Sequence, residues 1–456
     1  MSISKWLEQV STEDYDQLPG ATSKEVDVEI EADNVPTQKD GDWIEEIIPD
    51  ISVESELGEE ILADTEVAEQ AAEIDGLVET TAALEAYAEY MRHAEANGGI
   101  RNEALDVMRI GLNVLHRRLP KEHINTSLEA FDEVSRPLAT SISLESMSEK
   151  IKELWDRLKR VAVLLWQSAM DALHKWANSA GKSIEKANQL LDAIPKNTNR
   201  SGTAKVNMDA LCWAGIDFVG DRVDAADPVL IYAERGYYND LEAMLDAVED
   251  VVEGYVRGVD DPLNAFLKVR IHPSFEGKHS GGVTGANGTK LDVYKRGTFP
   301  GTKALTLTWP EQPKDMSYGF MDVVTNARIY LTHDEDAKDG GTQPYVFKQA
   351  DSNDLIKQLN EVIARLKRVQ SLPASDRIEK IEKRLGRLMK MVADKGDQDD
   401  KTSRKVSAAQ LLQGLALLQR NIAPNTTGIY SYLVKVYASQ IHYCSAALKY
   451  ISHSAE

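Results

Sequence analysis

Carboxylates are spread unevenly along this chain, and their distribution limits which parts of it can pack. Residues 1–80 hold 24 Asp and Glu against three lysines. The other 376 residues hold 50 acidic and 49 basic groups, so nearly all of the formal charge of −22 sits in the opening stretch. Residues 1–79 lack sustained apolar periodicity and carry single charges between Pro and Gly. Repulsion among like charges, with little apolar area to bury, predicts a disordered acidic leader there. The rest of the chain is electrically balanced and can form a core.

Apolar residues at three- and four-residue steps then predict a mainly α protein with a small α+β central domain. A helical hairpin is expected over 80–122. Leu84, Ala88 and Met91 mark its first helix, Asn97, Gly98 and Gly99 the turn, and Leu105 to Leu119 the second helix before Pro120. A Ser/Thr-rich linker is expected over 123–145 and a long amphipathic helix within 146–200. The stripe of that helix runs from Ile151 through Trp155, Leu158, Leu165, Trp166 and Leu173 to Ala177, about 27 residues. Residues 201–350 read as the α+β domain, helical near 205–215 and 239–257. Its strand-like segments are 266–271, 290–294, 304–309 and 322–331, parted by turns at 281–288 and at Pro300-Gly301, in what would be a single sheet. Residues 351–456 carry four further stripes, read as a four-helix bundle with Pro373 and Pro424 as helix stops.

Several function classes are disfavoured at this level. No stretch approaches the roughly 18 uncharged apolar residues of a membrane-spanning helix, and the first twenty residues lack the apolar core of a secretory signal. Cys212 and Cys444 stand far apart in apolar surroundings and read as free thiols of a reducing compartment. Gly181-Lys182-Ser183 imitates the end of a phosphate-binding loop, but Trp176 stands where the pattern requires Gly, and a helix precedes it. The acidic stretch at His333, Asp334, Glu335, Asp336 and Asp339 lacks the ligand ladder of a calcium loop. Neither H-E-x-x-H nor G-x-S-x-G occurs. The expectation is a protein without catalysis, cofactor, metal or small-molecule substrate. A hydrolase in the 260–335 region would instead require a concave pocket with converging polar groups.

The sharpest single feature is the Trp-bearing stripe. Lys152, Arg157, Lys159 and Arg160 sit beside Trp155, Trp166 and Trp176. Basic residues with Trp suit an interface, so one reading is a helix that engages membrane, DNA or a partner helix. The other is a core helix, favoured by Val163 and Leu164, which widen the apolar arc.

The segment LEAYAEYMRHAEANGGIRNEALDVMRIGLNVLHRRL, followed by SISLESMSEKIKELWDRLKRVAVLLW, resembles the internal head proteins of phiKZ-like jumbo tailed phages. RGTFPGTKALTLTWP resembles a glycine-proline turn into a strand of the same group. The likeness is best over about 80–175 and implies a virion protein packed with double-stranded DNA among other internal head or capsid proteins. It further implies trimming by the phage prohead protease and departure with the genome at infection. The host cytoplasm would hold the protein before assembly and after ejection.

Processing sites of that group end in a small residue, any residue, then Glu. Ser143, Leu144 and Glu145, followed by Ser146, fit this in the expected linker, and Ala71, Ala72 and Glu73 fit it in the expected leader. Ala83-Leu84-Glu85, Ser127-Leu128-Glu129 and Ser454-Ala455-Glu456 also match, the first within an expected helix. Proteases require extended, exposed backbone, which favours the first two; Ser143 or Ser146 reads equally well as a helix cap. Residues 1–145 carry −24 and residues 146–456 carry +2. A cut after Glu145 would therefore remove a polyanion that dense DNA repels.

Overall fold

The structure is a computed structural model, describing residues 58–97, 111, 136–206, 222–258, 278–284, 290–310, 324–333, 345–372, 376–396 and 407–452. Cα clustering separates the chain into two compact units, one of residues 1–43 and 84–150, the other of residues 44–83 and 151–456. Two long helices, α1 (Gly58–Ala96) and α2 (Arg136–Ala193), belong partly to each. The architecture is mainly α with small antiparallel sheets.

In the smaller unit, Leu84, Ala88 and Met91 of the expected first stripe are buried on α1, and so is Tyr87. Gly111 lies so close that a Cβ there would collide with the Tyr87 hydroxyl unless that side chain moved. The remainder of the expected second helix, with its turn at Gly98-Gly99, lies outside the described residues.

In the larger unit α1 corrects the expected leader: residues 58–79 are helical. Ala63, Val67, Ala71, Ile74, Val78 and Thr81 recur every three or four residues and form a narrow buried seam. Apart from Ile74 these side chains are small and let the helix sit close to its neighbours, while most of its carboxylates fall on the flanks and outer face. The buried Thr80 and Thr81 hydroxyls donate to the carbonyls of Gly76 and Leu77, both at 2.7 Å, so neither is left unsatisfied.

Helix α2 spans 58 residues, about twice the extent of the expected stripe. It corrects the expected 123–145 linker, since Arg136 to Glu145 are already helical; Pro137 suits a first turn because it has no N–H to lose. Gly181-Lys182-Ser183 lies inside α2, where its backbone amides are engaged in the helix and no phosphate loop forms.

After α2, strand β1 (Asn199–Val206) pairs antiparallel with the later β6 (Tyr345–Asp351). This corrects two expectations: a helix near 205–215 begins as strand, with residues 207–215 outside the described set, and there are two sheets. Helix α3 (Asp227–Ile231) passes through a π turn (Tyr232–Gly236) into α4 (Tyr237–Arg257). The main sheet is an antiparallel meander of β2 (Lys278–Thr284), β3 (Lys290–Phe299), β4 (Lys303–Pro310) and β5 (Arg328–His333). β2 takes up part of the expected 281–288 turn, and residues 266–271 lie outside the described residues. The expected Pro300-Gly301 turn joins β3 to β4, with Gly301 and Thr302 at φ of 74° and 50°. Tyr432 donates to the Pro300 carbonyl at 3.0 Å and clamps this turn to the last helix.

Helices α5 (Ser352–Ser371), α6 (Asp376–Gly396) and α7 (Ala408–Ser452) complete the chain. Asp351 caps α5 by accepting the amides of Asn353 and Asp354. The expected stop at Pro424 is corrected: α7 runs through it, so the bundle has three helices where the sequence carries four stripes. Proline removes one backbone hydrogen bond, and polar side chains engage the carbonyls around the break. Asn425 donates to the Asn421 carbonyl at 2.5 Å, Thr426 to that of Ile422 at 2.8 Å and Thr427 to that of Pro424 at 3.0 Å. The core holds Leu359, Val362 and Leu366 with Leu385, Leu388, Leu411, Leu415 and Leu418, none of them accessible to solvent.

Candidate functional site

Residues 58–83 contain eight carboxylates and no Lys or Arg. Three of these carboxylates flank the apolar seam of α1, and each meets a donor on another helix. Asp64 accepts the indole N–H of Trp176 at 3.0 Å. Glu73 Oε1 accepts both Nε and Nη2 of Arg157, at 3.1 and 2.8 Å. Asp75 Oδ2 accepts Nε and Nη2 of Arg420, at 2.9 and 2.6 Å. Early α1 therefore meets late α2, and later α1 meets earlier positions of α2 and α7, so α1 runs antiparallel to both. It lies in a seat whose rims are cationic.

One end of this seat is a half-buried charge cluster. The Lys435 ammonium stands 5.1 Å from the centre of the Trp176 ring, a cation–π arrangement. Burial pushes the Asp64 carboxyl up, against the lowering by the Trp176 hydrogen bond and by Lys435. Burial likewise pulls Lys435 down, against the raising by Asp64. Desolvation is the largest cause for both groups, which is what burying a loose ion pair costs.

At the other end is a cleft of about 280 Å³, bounded by α1, β5 and α7. Arg328, Arg420, Tyr330, Asn425 and Asp75 line it. Arg328 and Tyr330 alternate with the buried Ile329 on β5 and share one face. Both arginines are tied to the turn before β5. Arg328 Nε donates to the Thr325 carbonyl at 3.0 Å. The buried Asn421 amide donates to the Val324 carbonyl at 2.8 Å and accepts Arg420 Nη1 at 2.9 Å. Burial, then the positive charge of Arg420, lower the pKa of Arg328. The lining has no nucleophile–base pair, and among the described residues no group of His, Cys, Asp and Glu could hold a metal ion.

The residues singled out in the sequence fall in several places. Ser143, Leu144, Glu145 and Ser146 are helical, near the start of α2, and Glu145 is exposed. Ala71, Ala72 and Glu73 are in mid α1, with Ala71 in the seam and Glu73 held by Arg157. Both candidate cleavage sites thus lie in helix where extended backbone was expected. Trp155, Trp166 and Trp176 are buried in the protein itself, so the stripe is used for internal packing. Lys152 and Arg160 are exposed, and Lys159 pairs with Asp156 at 3.5 Å. Val163 and Leu164 remain exposed beside them. Among the described residues no helix is long and apolar enough to cross a membrane. Sequence reasoning missed Asp64, Asp75, Arg328, Arg420 and Lys435. The seven-residue recurrence of small apolar residues in α1 was the available signal, obscured by the carboxylates between them.

A family model of phiKZ-like phage internal head proteins matches residues 25–446, most of the chain. No curated protein and no solved structure matches it.

Proposed function

The chain belongs to the phiKZ-like phage internal head proteins, a virion structural role inside the head, and from that premise we propose that it is trimmed by the prohead protease after Glu145. The trimmed body is packed with the double-stranded DNA beside other internal head or capsid proteins and leaves with the genome at infection. The observation that carries this reading is the charge division: −24 before the cut and +2 after it. DNA at packing density is a concentrated polyanion and excludes the first part far more than the second.

The fold adds an order of events to this proposal. Glu145 is exposed, and a helix end opens at low cost compared with a helix interior. The Ala71-Ala72-Glu73 match is protected, because Arg157 holds the Glu73 carboxylate and Ala71 lies in the seam. A cut after Glu145 comes first and leaves α1 seated without a covalent link to α2; a cut after Glu73 follows only once α1 has left its seat. Mass spectrometry of purified particles checks this directly. The expected mature chain begins at Ser146, and an intact chain beginning at Met1 with no shorter form would refute the processing proposal.

A further inference from the structure

We propose that the cleft between α1, β5 and α7 is a phosphate-binding site, with Arg328 and Arg420 as the ligating residues and Asp75 as a built-in competitor. The proposal goes beyond the virion role and does not depend on where the chain is cut. Its basis is an imbalance of charge in a shaped cavity: two guanidinium groups line about 280 Å³, with Asp75 as the single carboxylate of the lining. Asp75 gives one oxygen to Arg420, through two hydrogen bonds. Among the described residues Arg328 has no carboxylate within salt-bridge distance, and its Nε is engaged by the Thr325 carbonyl.

The half-buried Arg328 guanidinium is drawn out of water beside a second one, and the nearby charge of Asp75 offsets only part of that cost. The fold nevertheless fixes both, through the Thr325 carbonyl and the Asn421 amide, before any ligand arrives. Fixed, planar, always-charged donors facing an open cleft suit the tetrahedral oxygens of a phosphate better than a flexible ammonium would. Tyr330 and Asn425 add neutral hydrogen-bonding groups to the lining. The cleft is too small for a folded partner and large enough for a phosphate with part of what carries it. Asp75 arrives on α1, a helix whose residues 58–83 are entirely acidic among their charged side chains. It occupies one arginine the way an anion would, so movement of α1 and phosphate binding are coupled with opposite sign.

Calorimetric titration of the full-length chain with inorganic phosphate, and separately with a short DNA duplex, tests this. Asp75→Asn, which removes a like charge from beside the ligand, is expected to tighten phosphate binding by about tenfold at low salt. Arg328→Gln is expected to weaken it by at least about tenfold, and Arg328→Lys to restore part of it. Circular dichroism of each variant separates loss of a ligand from loss of fold. Phosphate and duplex responding alike to the variants assigns the site to DNA backbone phosphate; phosphate alone responding assigns it to a free phosphate. Both outcomes support the site. It is overturned if folded Arg328→Gln binds phosphate as the parent does, or if neither the parent nor Asp75→Asn binds either probe.

Discussion

The seat of α1 and the C-terminal bundle both join helices through arginine–carboxylate pairs, yet the pairs have different weight in the two places. In the bundle, large aliphatic side chains such as Leu366, Leu388 and Leu415 are fully shielded. Arg365 of α5 grips Asp227 of α3 with two bonds of 2.6 and 2.7 Å, and Arg368 grips Glu234 of the π turn with two of 2.7 Å, tying the bundle to the helices packed on its margin. Such pairs add registry to helices that apolar burial already holds. The seam of α1 is mostly Ala and Val, each burying little area. There, the bonds from Trp176, Arg157 and Arg420 supply a larger share of what keeps the helix in place.

That contrast is open to direct attack, and the largest effect belongs to the bundle. Leu415→Ala removes a fully buried side chain at the centre of α7. It is expected to cost about 3 kcal/mol, read as a fall in the denaturant midpoint of the whole chain. A loss below about 1 kcal/mol would mean that the bundle, too, is held mainly at its margins.

A comparable effect is expected from pH. Burial, together with the positive charge of Lys186, lowers the pKa of His442 to about 4. An unfolded histidine titrates near 6.5, so the unfolded state binds a proton that the folded state refuses as pH falls from 6.5 towards 4. Stability is thus complete above that window and declines through it, by about 3 kcal/mol from this residue. His442→Gln should flatten the profile in that window; an unchanged slope would assign the acid sensitivity to carboxylates elsewhere.

The smallest effect is on the seat itself. Glu73→Gln removes the ion pair with Arg157, whose partners are both partly exposed. The expected loss is about 0.5–1 kcal/mol, confined to α1 and diminished further at high salt. Hydrogen exchange should speed up at residues 60–80 and stay unchanged in α5 and α6. Equal acceleration in both would erase the distinction between seat and bundle.

Long stripes of large aliphatic residues were legible without a structure. α5 and α6, the Trp-bearing course of α2, and the turn at Pro300-Gly301 all emerge from periodicity or from a residue whose backbone preference is strong. The α1 seat was not. Its seam is built from Ala, Val and Thr around a single Ile74, which contribute little to any apolar pattern when carboxylates stand between them. Pro424 misled for a different reason: one proline removes a single backbone hydrogen bond, the one to the Arg420 carbonyl, and a helix buried over as much of its surface as α7 can continue through that loss.

The sequence by itself determined the helical class, the presence of a small β region, the charge division and the likeness to internal head proteins. All four stem from local spacing and composition, which every stretch of chain carries with it. Only the tertiary structure decided that part of the acidic front is seated on the body, and that Arg328 and Arg420, 92 positions apart, share a cleft with Asp75. Electrostatic pairing at contact distance depends on positions in space, and spacing along the chain does not encode which distant charges will meet.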